Sequence, residues 1–207
     1  MSLSVFFPLG LFICAALSMT GCKDNLSIDK ETMSNEDQNI LVKNSKDQMV
    51  SDPMIRGFEY AKNNDPRALQ MADSLIRHGV TEAVVSKGYY LKGVYFTNTN
   101  KIDNALSQFD SSILSNFTFT DPYIEKGILL YEMKKFELAV ETLGKAAELD
   151  RYNPEIYFWM AKNYESQKNY NEAKFYYEQT ILLDQQFFQA KEGLERISIN
   201  LKKTDKK

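Results

Sequence analysis

Apolar and small residues recur along residues 86–187 at a fixed interval of 34 positions. Tyr89, Tyr123 and Tyr157 form one set of equivalent positions. Three further sets keep the same register: Gly93, Gly127 and Ala161; Ala105, Ala139 and Ala173; Phe109, Leu143 and Tyr177. A period of this size is typical of stacked helical hairpins. The pattern therefore predicts an all-α solenoid rather than a compact catalytic fold.

Within one repeat the spacing separates two helices. The first helix of the third repeat has an apolar face at i, i+3, i+4 and i+7: Tyr157, Met160, Ala161 and Tyr164. A second helical face runs over 170–181, and the turn between the two helices is only Gln167-Lys168-Asn169. Helices joined by so short a turn pack antiparallel. We expect the Gly and Ala sets to mark the close approach of the helices, where a larger side chain would overpack.

Proline positions predict where helices begin. Four of the five prolines directly follow Asp or Asn. Asp and Asn are favoured N-caps, and proline suits the first helical position because its missing N–H would have no partner there. These pairs predict helix starts near residues 53, 66, 122 and 154, with Asp121 and Asn153 as two of the caps. Gly79 is the predicted C-cap of the helix that precedes it.

Two further segments flank the regular repeats. Residues 53–78 predict a degenerate hairpin with its turn at Asn63-Asn64-Asp65, which we interpret as the N-terminal cap of the solenoid. At the other end, Phe188, Leu194 and Ile197 describe the apolar face of a capping helix over 188–202. Its opposite face is charged, as the open end of a solenoid requires.

The large–small–large series, followed by the alanine-and-aromatic signature, resembles the tetratricopeptide repeat family. Three repeats stand in register at 86–119, 120–153 and 154–187, within a predicted repeat domain over 51–203. The resemblance implies a right-handed solenoid of about three regular repeats plus the two flanking segments. It also implies a concave groove, lined by the first helix of each repeat, that binds a segment of another protein.

The resemblance assigns groove positions that differ from those needed for hairpin packing. The positions retained as the predicted partner-binding groove are Tyr90, Val94, Ile124, Glu125, Ile128, Tyr131, Glu155, Phe158, Trp159 and Lys162. Other groove positions are Lys87, Leu91, Asn98, Asp121, Glu132 and Glu165. We expect the aromatic and aliphatic members to form an exposed stripe bordered by acids, which favours a basic partner segment. The alternative is that neighbouring helices or the C-terminal helix cover the stripe.

Repeats of this family that clamp acidic C-terminal tails of chaperones use Lys and Asn on the groove face. Here the matching positions are Tyr90, Val94, Glu125, Glu155 and Trp159, so an acidic tail is not the expected partner. The primary hypothesis is a protein-binding adaptor or scaffold for another envelope protein. The alternative is a structural envelope component that self-associates into a homo-oligomer.

The N-terminus predicts export and lipidation. Val5–Leu17 is almost wholly apolar but only thirteen residues long, which fits the h-region of a signal peptide over 1–21 rather than a membrane span. Met19-Thr20-Gly21-Cys22 resembles a bacterial lipobox, in which Cys22 carries the lipid. After cleavage Cys22 would be the sole cysteine, and an unmodified free thiol is unusual in an exported protein. The alternative is an ordinary cleaved signal with a chance cysteine.

Residues 22–50 are polar and lack aromatic residues, which predicts a flexible tether. Lys23-Asp24 resembles the export signal of surface lipoproteins in the Bacteroidetes, although a solvated spacer explains the same residues. The predicted location is the bacterial cell envelope, anchored by lipid, with the outer membrane preferred over the inner one.

Charge and residue inventory limit the chemistry. A net charge of −3 argues against nucleic acid, which requires a basic surface. His78 is the sole histidine, so no Ser-His or Cys-His pair is available for nucleophilic catalysis. Cysteine and histidine lack zinc-site spacing, and the glycines form no phosphate-binding loop. The sequence therefore predicts a protein that is not an enzyme and has no cofactor or metal.

Overall fold

The computed structural model describes residues 53–204. The predicted signal peptide, tether and Cys22 lie outside the described residues. Over 53–204 the chain is all-helical: α1 Pro53–Lys62, α2 Arg67–His78, α3 Glu82–Asn98, α4 Ile102–Ser115, α5 Asp121–Glu132, α6 Phe136–Leu149, α7 Pro154–Ser166, α8 Tyr170–Leu183 and α9 Phe188–Thr204. Each helix packs on the next along the chain, as a helical-hairpin solenoid requires.

Helix starts agree with the proline pairs to within one residue. Helices α1 and α7 begin at Pro53 and Pro154, and Asn153 caps α7 because its side-chain oxygen accepts the Glu155 N–H at 3.0 Å. The expectation for Asp121 was wrong, since α5 begins at this residue and its side chain makes no capping bond. Its carboxylate is therefore available to the surface beside the helix.

Helix α3 begins at Glu82, four residues before the predicted start of the first repeat at residue 86. Thr81 is extended, and its side-chain oxygen accepts the Val84 N–H at 3.3 Å. Threonine is a good N-cap, so Thr81 was the available sequence signal for this start. Gly79 does cap α2, although with φ of −64° rather than in the left-handed region.

Hairpin turns share one backbone feature. Asn64, Asn100, Lys134 and Lys168 all have left-handed backbone angles, with φ between 55° and 60°. The last three stand at the repeat interval, between the two helices of each regular repeat. Asparagine tolerates this conformation, whereas lysine adopts it at a cost of about 1–2 kcal/mol. The turn geometry is therefore retained even where the residue type does not favour it.

Close packing within each hairpin pairs a small residue with a large one. A Cβ built on Gly93 would meet the Phe109 ring, and one built on Gly127 would lie 2.7 Å from Cγ of Leu143. Phe109, Leu143 and their equivalent Tyr177 are fully buried. The glycines are thus required because the second helix projects a large side chain at them, which refines the expectation that small residues meet small ones.

The two flanking segments pack as caps. Ala61, Ala68 and Ala72 of α1 and α2 are fully buried against α3, and Ala190 and Ile197 of α9 are buried around Tyr177. The expectation for Phe188 was wrong, because this side chain is 68% exposed. The neighbouring Phe187 packs inward instead.

Candidate functional site

The first helices of the three regular repeats, α3, α5 and α7, contact one another in sequence and carry the predicted groove residues. Tyr90 and Val94 lie on α3, four members from Ile124 to Tyr131 lie on α5, and four from Glu155 to Lys162 lie on α7. Placement on one set of adjacent helices follows from the repeat register. The exposure of the side chains does not follow from the register, and differences in exposure divide the predicted groove residues into two regions.

The first region is a recess of about 220 Å³ where α3, α5 and the start of α7 meet. We call it the acidic recess; its lining is Tyr90, Asp121, Ile124, Glu125, Asn153 and Glu155. Five of these residues were predicted groove positions. Asn153 was predicted only as a helix cap. In the structure it caps α7 and also lines the recess, because the N-terminus of α7 borders the recess.

Tyr90 is not the exposed anchor that the sequence predicted. Only 9% of the residue is exposed. Its ring packs edge-on against Phe58 and Phe119, with centroids 5.4 and 5.2 Å away, and against Phe109 at 6.0 Å. Repeat stacking thus surrounds the ring, because α1 and the loop before α5 close over α3. The residue still lines the recess.

Ile124 is buried in the same way, with 5% exposure. It belongs to a core cluster with Leu143, Ile156 and Met160 from the surrounding helices. Leu91, another predicted groove position, is fully buried against α1 and α2. Tyr90, Ile124 and Leu91 were expected on the groove face, with Tyr90 and Ile124 in its exposed stripe. Neighbouring helices bury all three side chains instead.

Carboxylates dominate the recess. Burial, together with the charges of Glu155, Asp121 and Glu132, raises the pKa of Glu125 to about 7. Burial also raises the pKa of Asp121, with Lys87 opposing the shift and Asp150 adding to it. The pKa of Tyr90 is raised by burial and by Glu125, Asp121 and Glu155, which keeps its hydroxyl neutral. The recess is therefore lined by carboxyl groups that repel one another, and Glu125 is only about half ionised at neutral pH.

The second region combines aromatic rings with one cation. We call it the aromatic–lysine patch; it consists of Tyr131, Phe158, Trp159 and Lys162. The Lys162 ammonium lies 5.0 Å from the Trp159 ring centroid and 5.2 Å from that of Tyr131. All four side chains are half-buried, as are Val94 and Ile128. This region keeps the partial exposure that a binding surface needs.

The C-terminal segment covers part of the third repeat. Phe187 packs on Phe158 with centroids 4.9 Å apart. Arg196 of α9 donates to both carboxylate oxygens of Glu165 at 2.6 and 2.8 Å, and the Tyr177 hydroxyl donates to the same carboxylate at 2.6 Å. Glu165, a predicted groove position, is thus engaged by α9 and is not available to a partner in this arrangement.

The described part of the chain contains no cluster of His, Cys, Asp and Glu side chains arranged to hold a metal ion. Across residues 53–204, no helix combines the length and apolar character needed to cross a bilayer. His78 is exposed at the end of α2. The arrangement at the two regions is suited to reversible binding through charge and aromatic contact.

Comparison with known proteins is consistent with this architecture. Residues 130–197 match the family model described as Tetratricopeptide repeat. No curated protein sequence matches the chain at a significant level. The match on 130–197 begins near the end of α5 and ends inside α9, so it covers most of the second repeat, the whole third repeat and part of the capping helix.

Solved structures show the same fold. The Arabidopsis OM64 TPR domain is 21% identical with a TM-score of 0.54, over 56% of this chain and 96% of its own. The first TPR of Spaghetti (RPAP3), bound to HSP90 peptide SRMEEVD, is 21% identical with a TM-score of 0.57, over 59% and 98%. MamA 41-end from Desulfovibrio magneticus RS-1 is 15% identical with a TM-score of 0.59, over 73% and 87%. The predicted right-handed helical-hairpin solenoid is confirmed.

Proposed function

We propose that this chain, a tetratricopeptide-type solenoid over its described residues, is a protein-binding adaptor or scaffold of the bacterial cell envelope. A lipid on Cys22 would anchor it to a membrane, preferably the outer one, and residues 22–50 would give the domain reach. The observation that carries the proposal is the presence of the acidic recess and the aromatic–lysine patch on α3, α5 and α7. An anchor of this kind raises the local concentration of the domain near its partner.

The sign of the charge on this surface indicates the class of partner. The related fold of Spaghetti (RPAP3) was solved with an acidic peptide, SRMEEVD. In this chain the acidic recess carries three carboxylates, Asp121, Glu125 and Glu155, which would repel such a peptide. A basic segment of another envelope protein is therefore the proposed partner, with its apolar side chains on the aromatic–lysine patch.

Site-specific photo-crosslinking in the native envelope tests the adaptor role without disturbing the core. A photoreactive residue at Glu155, which is exposed beside the recess, is compared with one at Glu178, which is exposed on α8. We expect one partner adduct from position 155 that is absent from position 178. Purified partner, identified by mass spectrometry, should then bind the full chain. Equal adducts from both positions would contradict the assignment of the surface.

Lipid anchoring has its own test. The wild type should incorporate labelled palmitate and fractionate with membranes, whereas Cys22→Ala should lose both properties. Persistence of membrane association in the variant, with no label in the wild type, would identify an ordinary signal sequence instead.

Self-association is the second candidate, and exposed apolar side chains at the C-terminal end favour it. Phe175, Leu182 and Phe188 on α8 and α9 are 53%, 73% and 68% exposed. Phe175 and Leu182 stand seven residues apart on α8, which places them on one face of that helix, and an exposed apolar face can form a protein contact. Sedimentation velocity of the full chain at several concentrations decides between the two, because a persistent monomer removes the homo-oligomer.

A further inference from the structure

Carboxylates of the acidic recess form no ion pair among the described residues, although the charge of Lys87 acts on Asp121. Asp73 is paired with Lys92 at 2.6 Å, and Glu165 is paired with Arg196. Among the described residues, the side chains of Asp121, Glu125 and Glu155 form neither an ion pair nor a hydrogen bond. Glu125 is half-buried, whereas Asp121 and Glu155 are exposed. A half-buried carboxylate is normally paired, so the group leaves a position for a cation supplied from outside.

Tyr90 gives a second and independent indication. Nine-tenths of the residue is buried, and its ring is fixed by Phe58, Phe109 and Phe119. Nevertheless its hydroxyl has no hydrogen-bond partner among the described residues, and the residue lines the recess. A buried tyrosine usually finds a partner for its hydroxyl. Its oxygen is not one of the fully buried polar atoms without a partner, so it is open to the recess, where a bound group can donate to it.

We propose that the acidic recess binds one arginine side chain of the partner segment, with Glu125, Glu155 and Asp121 facing the guanidinium and the Tyr90 oxygen accepting one of its N–H groups. This inference rests on the adaptor function proposed above. Guanidinium is planar, weakly hydrated and able to donate to several oxygens at once, which suits the exposed carboxylates around the half-buried Glu125. Ile124 supplies an apolar wall for the methylene chain.

The size of the recess agrees with a side chain rather than a free ligand. Its volume of about 220 Å³ is below the range of roughly 300–1,000 Å³ that small-molecule pockets occupy. A segment lying along α3, α5 and α7 would thus place one residue in the recess and its neighbours on the aromatic–lysine patch. The recess fixes the register of the segment.

Binding of a cation should depend on pH near neutrality. The pKa of Glu125 is raised to about 7, and a bound guanidinium favours the ionised form. The charges of Asp121 and Glu132 on α5 and of Glu155 on α7 act on Glu125, and Tyr90 on α3 faces the same carboxyl. Lys87 on α3 and Asp150 before α7 act on Asp121. Affinity should therefore rise about tenfold between pH 6 and pH 8, as Glu125 loses its proton.

Fluorescence anisotropy with labelled nonapeptide pools tests the proposal on the full chain in detergent. One pool has a central arginine between flanks randomised over uncharged residues, and a second has citrulline, the neutral isostere, at the centre. We expect the arginine pool to bind at least tenfold more tightly at pH 8. Glu125→Gln combined with Glu155→Gln should abolish that preference, and Tyr90→Phe should reduce it severalfold.

A matched control removes the same charge elsewhere. Glu148→Gln combined with Glu192→Gln changes two exposed acids on α6 and α9 and should leave the arginine preference intact. Equal affinity for arginine and citrulline pools would overturn the arginine site while leaving the adaptor function standing. Loss of preference in the control would also overturn the site, because bulk charge would then explain it. Failure of every pool to bind would overturn the arginine site and count against the groove itself.

Discussion

Two glycines in the second regular repeat have opposite surroundings. A Cβ on Gly127 of α5 would lie 2.7 Å from Cγ of Leu143 and 2.8 Å from one of its methyl carbons. At Gly144 of α6, the added Cβ would meet nothing within 4 Å. Both glycines lie inside helices, so both carry the backbone entropy cost of glycine. Packing requires only the first of them.

We therefore expect opposite signs for the same substitution at these positions. Gly127→Ala should lower the free energy of unfolding by about 1–3 kcal/mol through overpacking. Gly144→Ala should raise it by about 0.5–1 kcal/mol through helix propensity. Urea unfolding followed by the fluorescence of Trp159, the sole tryptophan, measures both. Stabilisation by both substitutions would mean that Leu143 yields to the added methyl group.

Asn163 is a polar residue at a core position. The 34-residue register places it with Tyr95 and Leu129, which are 8% and 1% exposed, and Asn163 itself is fully buried. Its Nδ2 donates to the Trp159 carbonyl at 2.7 Å, whereas its Oδ1 has no partner among the described residues. A buried acceptor without a partner costs about 1–3 kcal/mol.

Asn163→Leu should therefore stabilise the domain by about 1–3 kcal/mol, because it removes the unpaired oxygen and keeps a similar volume. The reciprocal change Leu129→Asn, in the second repeat, should destabilise it by at least as much. Thermal unfolding of both variants against the wild type gives the comparison. A destabilised Asn163→Leu variant would show that the amide has a structural role that the contacts of the third repeat do not reveal.

Among the elements, α9 is held to the third repeat by one charged contact as well as by its apolar face. Burial raises the pKa of Glu165, but the hydrogen bonds from Arg196 and Tyr177 outweigh it and hold this pKa below its ordinary value. A carboxyl with a lowered pKa stabilises the fold above its ordinary pKa and loses that contribution as the pH falls through the lowered value. The contact is therefore fully present at neutral pH.

Arg196→Gln should lower the free energy of unfolding at pH 7 by about 0.5–1 kcal/mol, since Arg196 itself is largely exposed. The effect of the same substitution should decrease as the pH falls through the lowered pKa of Glu165. Amide exchange over α9 provides a local readout, with faster exchange at Ile197 expected in the variant. Lys191→Gln, which removes a positive charge from the same helix, serves as control; an equal loss there would indicate a general charge effect.

At the scale of the whole molecule, stacking of the repeats creates the acidic recess at a cost in stability. Glu125 has a folded-state pKa of about 7, above its ordinary value of 4.5. The folded form therefore holds its proton more tightly than the unfolded form, and stability falls as the pH rises between these two values. Carboxyl groups with pKa values perturbed in this way cluster at functional sites.

Glu125→Gln should thus stabilise the domain at pH 8 by about 1–3 kcal/mol and have little effect at pH 4. For a chain of this size the expected rise in Tm at pH 8 is several degrees. Differential scanning fluorimetry across this pH range, with Glu148→Gln as the exposed control, measures the effect. A constant Tm difference at all pH values would show that Glu125 ionises freely in the folded protein.

Much of the fold was predictable because the same pattern of apolar and small residues occurs in each of the three repeats. The proline pairs located helix starts to within one residue, and the 34-residue sets identified Phe109, Leu143 and Tyr177 as packing positions. The start of α3 was missed because Thr81 lies outside the repeat register. The signal peptide, the tether and lipidation of Cys22 remain predictions, since they fall on residues that the structure does not describe.

The sequence by itself determined the order of the helices, the hairpin pairing and the helices that carry the predicted groove residues, because these depend on local periodicity and chain connectivity. Only the tertiary structure decided which side chains of that surface remain available. Tyr90 and Ile124 have the same spacing as exposed groove residues, yet neighbouring helices bury them. The recess arises where α3, α5 and α7 meet, so its lining and the raised pKa of Glu125 depend on distances between repeats. Periodicity along one chain segment contains no information on such distances.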